Sequence, residues 1–290
     1  MRRFELLEPR SLDEACAILA DDNARPVAGG TALLTLIKQG LYIPKILVNL
    51  KKIPNAGIID YDPRNGLRIG ALATIGEVES SPPVREHYPA LADACHVVAN
   101  IRIRNMATIG GNLAHGDYQS DPPTVLAALD AEVELIHKGG SRRIKLADFL
   151  LGSYETELRP GELISALFLP PPTPGMRGVY LKFTTGSSEE RPCIGIAALA
   201  RVENGICREL RLAVGAVSPR PVRMHSSEAT ARGSALTAEL LDRIAAETAH
   251  RVEPIDDVRG PADYKRHLAQ VLTRRAIAAC AAPNGPEQRR

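Results

Sequence analysis

Residues 170–175 read Pro-Pro-Pro-Thr-Pro-Gly, and neither a helix interior nor a central strand can contain them. Each proline lacks a backbone N–H and holds φ near one value, so regular structure must stop on both sides. The run acts as a linker and divides a chain of 290 residues, a length above the usual size of one domain. Beyond it lie three apolar stretches, VYLKFTT, CIGIAALARV and ELRLAVGAV, in the order of a β-meander. Two helical segments follow, SALTAELLDRIAAETAHRV and PADYKRHLAQVLTRRAIAACA, the second with Pro261 near its first turn. Strands followed by helices predict a separate α+β domain over 176–285.

Before the proline run the periodicities change twice. Residues 1–54 alternate strand and helix: a short edge strand over Phe4–Leu7, a helix opened by the Ser11–Glu14 capping-box spacing, a strand over Arg25–Ala28, a helix from Thr31 to Gly40, and the apolar strand ILVNL. This predicts one small β-α-β-α-β subdomain. Residues 55–172 predict a second. GIIDY and LRIGALA flank a PRNG turn, EVELIHKGGSRRIKL is a hairpin with a KGGS turn, and ELISALFLP is a strand. Between the hairpins, Thr74 and Glu77 have capping-box spacing, and Pro89–Ala99 and Asp121–Leu129 suit helices.

Each subdomain carries one glycine pair. Gly29-Gly30 ends the strand over Arg25–Ala28, and Gly110-Gly111 lies in TIGGNLAHGDYQSD, a stretch with a strand-like lead-in. Glycine lets backbone N–H groups approach an anion closely and reach positive φ. Thr31 at an expected helix start, then Thr108, Asn112 and Ser120, add hydroxyl and amide donors, and Asp121 can accept from a sugar hydroxyl. The two pairs suit one phosphate-bearing ligand held from two sides. Taken singly, each pair is more simply a tight turn, because a lone glycine motif is weak. Neither is GxGxxG, so a Rossmann site is disfavoured.

Composition narrows the partners. The formal charge is +2 and there is no tryptophan, which argues against a nucleic-acid platform. The five cysteines, Cys16, Cys95, Cys193, Cys207 and Cys280, form no CxxC pair, so an iron–sulfur or zinc site in this chain is not expected and buried free thiols are. The first residues are charged and lack an apolar signal core, no apolar run approaches about 18 residues, and a cytoplasmic location is expected. The polar tail NGPEQRR is expected to fray.

The order AGGT, then IRNMATIGGN with a downstream Ser-Asp, then ELISALFLP and YLKF resembles the flavoprotein (medium) subunit of the molybdenum hydroxylases, over nearly the whole chain. That family includes aerobic CO dehydrogenase, bacterial xanthine dehydrogenases and 4-hydroxybenzoyl-CoA reductase. The resemblance implies an α+β fold: a PCMH-type, vanillyl-alcohol-oxidase-like FAD-binding domain of two subdomains and a C-terminal domain with a meander sheet and helices. It implies noncovalent FAD, with molybdopterin and [2Fe-2S] clusters on partner subunits in a dimer of heterotrimers. By this resemblance Val27, Ala28, Gly29, Gly30, Thr31, Ala32 and Leu33 form the first pyrophosphate loop, and Thr108, Ile109, Gly110, Gly111 and Asn112 the second. Asp121 matches an acid near the adenosine ribose, Ile164 an apolar cofactor contact, and Lys182 a lysine near the flavin ring.

Two departures stand out. Ala32 replaces a polar residue common in the first loop, and TTGSSEERPC replaces a basic residue and an Asp-containing turn after YLKF. His115 is expected as a hydrogen-bonding loop residue, Asp117 as a flavin or ribose ligand or an Asx turn, and Glu189, Glu190 and Arg191 as an exposed turn. Tyr154 and Tyr180 are core or interface candidates. The function implied is electron transfer from a [2Fe-2S] subunit through FAD to an external acceptor. Two alternatives stay open, a self-sufficient FAD oxidoreductase of the same fold and a binding module without FAD.

Overall fold

The computed structural model describes residues 3–282, so the tail expected to fray and residues 283–285 of the expected last domain lie outside the described residues. The chain opens as expected, with β1 (Glu5–Leu7), α1 (Leu12–Ile18), β2 (Ala24–Val27), α2 (Leu33–Lys38) and β3 (Ile46–Asn49). The three strands form a parallel sheet in the order β1-β3-β2. Ser11 caps α1 by accepting from Glu14 N–H at 3.1 Å, and the Glu14 carboxylate accepts from Arg10 N–H at 2.7 Å. Ala15, Cys16 and Leu19 turn inward with Val48 to make a small core.

The second unit runs β4 (Ile59–Asp62), β5 (Gly66–Gly70), α3 (Ile75–Ser80), α4 (Pro82–His87), α5 (Pro89–His96), α6 (Ile101–Arg104), α7 (Ile109–His115), α8 (Asp121–Ala128), β6 (Glu132–His137), β7 (Gly140–Lys145), α9 (Leu146–Phe149), β8 (Leu150–Gly152), β9 (Glu155–Thr156) and β10 (Leu163–Leu169). Its five-stranded sheet has the order β4-β5-β10-β6-β7, so ELISALFLP is the central strand, antiparallel to both neighbours. The PRNG turn closes through Asp62, whose Oδ1 accepts from Arg64 and Asn65 N–H at 2.8 Å each. The Thr74–Glu77 capping box forms with both reciprocal bonds.

The last unit holds β11 (Arg177–Phe183), β12 (Ile194–Glu203), β13 (Ile206–Gly215), β14 (Val222–Arg223), α10 (His225–Ala231), α11 (Ala238–Arg251) and α12 (Ala262–Ala281). The strands form the expected antiparallel meander. Pro261 is the residue just before α12 rather than inside it. Alternate residues of β12 serve different cores. Ala197 and Leu199 pack with α5 and α8 of the second unit, and Ile194, Ile196, Ala198 and Ala200 pack with α11 and α12. This period of two buries both faces of the sheet. The proline run is tethered, because Tyr88 Oη donates to the Pro170 carbonyl at 2.8 Å. All five cysteines are buried and free. No helix among the described residues is long and apolar enough to cross a membrane.

Candidate cofactor site

The first glycine pair meets the stretch that precedes the second. Gly29 lies against the stretch that leads into the second pair, so close that a Cβ there would stand 2.1 Å from the Met106 carbonyl oxygen and 2.8 Å from Ala107 Cα. Gly30 has φ +73°, which turns the chain after β2. Helix α2 then starts at Leu33, two residues later than Thr31, the expected start. In the segment between, the backbone N–H groups of Gly29, Gly30, Thr31, Ala32 and Leu33 donate to no acceptor among the described residues. Val27 to Leu33 are all partly exposed. Five successive unspent donors on an accessible turn could hold an anion, and Ala32 would contribute its N–H without needing a side chain.

The second pair works differently from the expected turn. Its strand-like lead-in is one antiparallel bridge between Thr74 and Thr108. Gly110 and Gly111 then lie in the first turn of α7, capped by Thr108, and not in a glycine turn. Their N–H groups are spent inward. Ile109 donates to Ala73 O, Gly110 to Ala71 O and Asn112 to Thr108 O, each at 2.9 Å. Gly111 donates to Thr108 Oγ1 at 3.1 Å. The expectation that the Gly110-Gly111 pair offers backbone donors to a ligand is therefore corrected. Gly110 permits close packing instead, since a Cβ would stand 2.6 Å from Ala71 Cβ. The face keeps three donors with no acceptor among the described residues: Thr108 N–H, the Thr108 hydroxyl proton and Asn112 Nδ2. Asn112 Oδ1 is fixed by the Ser120 hydroxyl at 2.9 Å. Ile164 is buried on β10 beside this floor, where Ala71 N–H donates to the carbonyl of the next residue, Ser165.

Asp121 and Lys182 form one ion pair, 3.1 Å between Oδ2 and Nζ, with side chains only 5% and 7% exposed. Lys182 also donates to Val97 O at 2.8 Å, and its third N–H has no acceptor among the described residues. Asp121 Oδ1 accepts from Tyr180 Oη at 2.8 Å. Burial outweighs the opposing pull of Lys182 and Tyr180 and leaves the Asp121 carboxyl raised to about 6. A ribose role for Asp121 and a ring role for Lys182 would set them at distant points of an extended dinucleotide. The structure instead sets the two side chains in contact, with both Asp121 oxygens accepting from protein donors.

Asp117 is also committed. Its Oδ1 accepts from Gln119 N–H at 3.1 Å, which is the Asx turn, and its Oδ2 meets Arg191 Nε at 2.5 Å. Residues 189–191 form an exposed turn as expected, and it is also clasped, by Arg191 to Asp117 and by Asn100 Nδ2 to Glu189 at 3.1 Å. His115 makes no hydrogen bond among the described residues. It packs edge-on to Tyr154 at 5.2 Å, and burial holds its imidazole below the ordinary value, Asp117 opposing and Arg191 assisting. Arg104 turns inward to Glu79 at 2.8 Å. Tyr180 and the 71–73 carbonyls escaped the sequence reading as site parts. The signal for Tyr180 was the glycine at 195, whose absent side chain leaves room for the phenol: a Cβ there would stand 2.3 Å from Tyr180 Oη.

Known proteins resemble this chain over both halves. Residues 2–172 match the family described as FAD binding domain in molybdopterin dehydrogenase, and residues 183–280 match the CO dehydrogenase flavoprotein C-terminal domain. The chain is 32% identical over 279 residues to the carbon monoxide dehydrogenase medium chain of Hydrogenophaga pseudoflava, covering 95% of this chain and 96% of that one. It is 30% identical over 275 residues to the glyceraldehyde dehydrogenase medium chain of Sulfolobus acidocaldarius, covering 94% and 97%. The solved structure of the Hydrogenophaga pseudoflava carbon monoxide dehydrogenase lacking the Mo-pyranopterin moiety superposes with a TM-score of 0.92, covering 96% of this chain and 97% of the other. An accessible row of unspent donors, a second loop docked against it and this likeness over both halves agree, and the chain belongs to the family of FAD-binding medium subunits of the molybdopterin-dependent dehydrogenases.

Proposed function

We propose that the chain is the electron-transferring subunit of a heteromeric molybdenum hydroxylase, receiving electrons from a [2Fe-2S] subunit and releasing them to an external acceptor. One observation carries the assignment of the site: the Gly29–Leu33 donors lie open while Gly29 rests on the Met106 carbonyl. FAD fits this surface, since a pyrophosphate carries the acceptor oxygens and the charge that such a row of N–H groups binds. Bound FAD supplies carriage of one or two electrons. The residues of this chain bind and orient it. Gly29 to Leu33 hold the pyrophosphate, with Val27 and Ala28 leading the strand into that turn. Thr108 and Asn112 supply donors from the facing loop, Ile109, Gly110 and Gly111 set that loop on its floor, and Ser120 fixes the Asn112 amide. Ile164 gives an apolar wall. Lys182, held by Asp121, offers its remaining N–H to the flavin. Asp117 shapes the loop after α7, beside His115. The molybdopterin subunit and the [2Fe-2S] subunit supply substrate oxidation.

The test is purification of this chain alone and with its two partner chains. The isolated chain should be yellow, should release its flavin into the supernatant on acid precipitation, and should be reduced by substrate only within the complex. Oxidation of a small substrate at a normal rate by the isolated chain would overturn the subunit reading in favour of a self-sufficient oxidoreductase. A chain that stays colourless after FAD reconstitution would make it a binding module.

A further inference from the structure

Tyr180, Lys182 and Asp121 meet at the seam between the second unit and the C-terminal sheet, 59 and 61 residues apart in sequence. Tyr180 and Lys182 are two apart on β11 and so share a face. Asp121 is the first residue of α8, where Pro122 and Pro123 set the backbone of the opening turn. The seam is built to let them touch. Gly195 of β12 and Gly215 of β13 are direct partners in the ladder. A Cβ at Gly195 would stand 2.3 Å from Tyr180 Oη, and one at Gly215 would stand 1.9 Å from Thr124 Oγ1 of α8. Two facing glycines thus leave a bare patch of sheet, on which the phenol and the start of α8 lie side by side.

The hydrogen-bond count gives the phenol a task beyond filling space. A buried carboxylate with one cation on one oxygen needs a donor on the other, and Tyr180 supplies it at 2.8 Å. With Oδ1 fixed, Oδ2 can hold Lys182 Nζ in one position, and Val97 O holds it from a second side. The third ammonium proton is then aimed by the other two.

We propose that Tyr180 is a positioning residue of the cofactor site, acting through Asp121 to aim the Lys182 ammonium at an electron-rich atom of the flavin. This rests on the reading of the site as an FAD site. The titratable groups facing Asp121 are Tyr180 and Lys182 of β11 and, from α5, the buried Cys95 thiol. Ionisation of Asp121 strengthens its hold on Lys182, so the flavin senses the state of this carboxyl. The Tyr180 proton favours the ionised form, so removing it moves the carboxyl upward.

The experiment is a pH titration, from 5 to 8.5, of the visible flavin absorbance in the FAD-loaded chain, with FAD retention measured in parallel. Wild type should show one transition near the Asp121 value of about 6. Tyr180→Phe should move the midpoint up by about one pH unit, a tenfold change in protonation. A 3-fluorotyrosine at position 180 keeps the shape, sharpens the donor and should move the midpoint down, which serves should the phenylalanine variant fail to fold. Asp121→Asn should abolish the transition, and adding Tyr180→Phe to it should change nothing further. Wild type that retains FAD with a midpoint unmoved by both Tyr180 changes, or with no transition at all, overturns the role of Tyr180 and leaves the FAD reading standing. Wild type that retains no FAD overturns both.

Discussion

Gly29 shows what a missing side chain can do. An alanine there would drive its Cβ into the Met106 carbonyl, and backbone on both sides leaves nothing flexible to yield. Forced overpacking of this kind costs roughly 1–3 kcal/mol. Gly29→Ala should therefore weaken FAD retention by about ten- to a hundredfold while far-UV circular dichroism stays native. Retention like wild type would remove the loop contact from the site. The glycine pair at 29–30 was legible in sequence because it follows an apolar strand and precedes a helix. The inward role of Gly110 and Gly111 was not. A double glycine after Thr reads equally well as an open turn or as the first turn of a capped helix, and only the Ala71 and Ala73 carbonyls decide between them. The Asp121–Lys182 pair joins residues 61 apart, and no local pattern encodes that distance.

At the level of elements, the short helix α10 had no legible signal, since HSSEATA lacks an apolar stripe and its cap makes no side-chain bond. Tertiary contacts make it. Glu228, buried in its first turn, accepts from Leu212 N–H at 2.8 Å and from Arg223 at 2.8 and 3.1 Å. Arg223 in turn donates to the Ala127 carbonyl at the end of α8, at 2.9 Å, and so ties the C-terminal sheet to the second unit. Burial acts to raise the Glu228 carboxyl, but the Arg223 and Leu212 hydrogen bonds outweigh it and hold the group below its ordinary value. The folded state therefore binds fewer protons here than the unfolded chain. The stability this provides is present above the ordinary value of 4.5 and is lost as pH falls through the folded value. Glu228→Gln should lower stability at pH 7 by about 3 kcal/mol and flatten the acid limb of the melting temperature below pH 4.5. Parallel acid limbs in the two proteins would contradict this. The longer elements were legible because their periods are clean, as in α11, the meander and the β6–β7 hairpin. Residues 101–104 mislead by the same rule: Ile-Arg-Ile-Arg alternates like a strand, yet Asn100 caps it as a helical turn by accepting from Ile103 N–H at 3.2 Å.

Across the whole molecule, the proline run lies between β10 of the five-stranded sheet and β11 of the meander, but it could not reveal how closely the parts are joined. That depends on β12 turning one face to α5 and α8 and the other to α11 and α12. Calorimetry of the FAD-loaded chain should accordingly show one cooperative unfolding transition, and two well-separated transitions would refute the shared core. The contact between Gly29 and Met106 has a different consequence, one in time. A long dinucleotide held along the first turn would be backed by a loop of the second unit, since Gly29 rests on Met106. Its dwell time would then be set by how often the seam between the first unit and that loop parts, more than by the strength of any single phosphate contact. A partner subunit that clamps the seam would lengthen that dwell without touching the ligand.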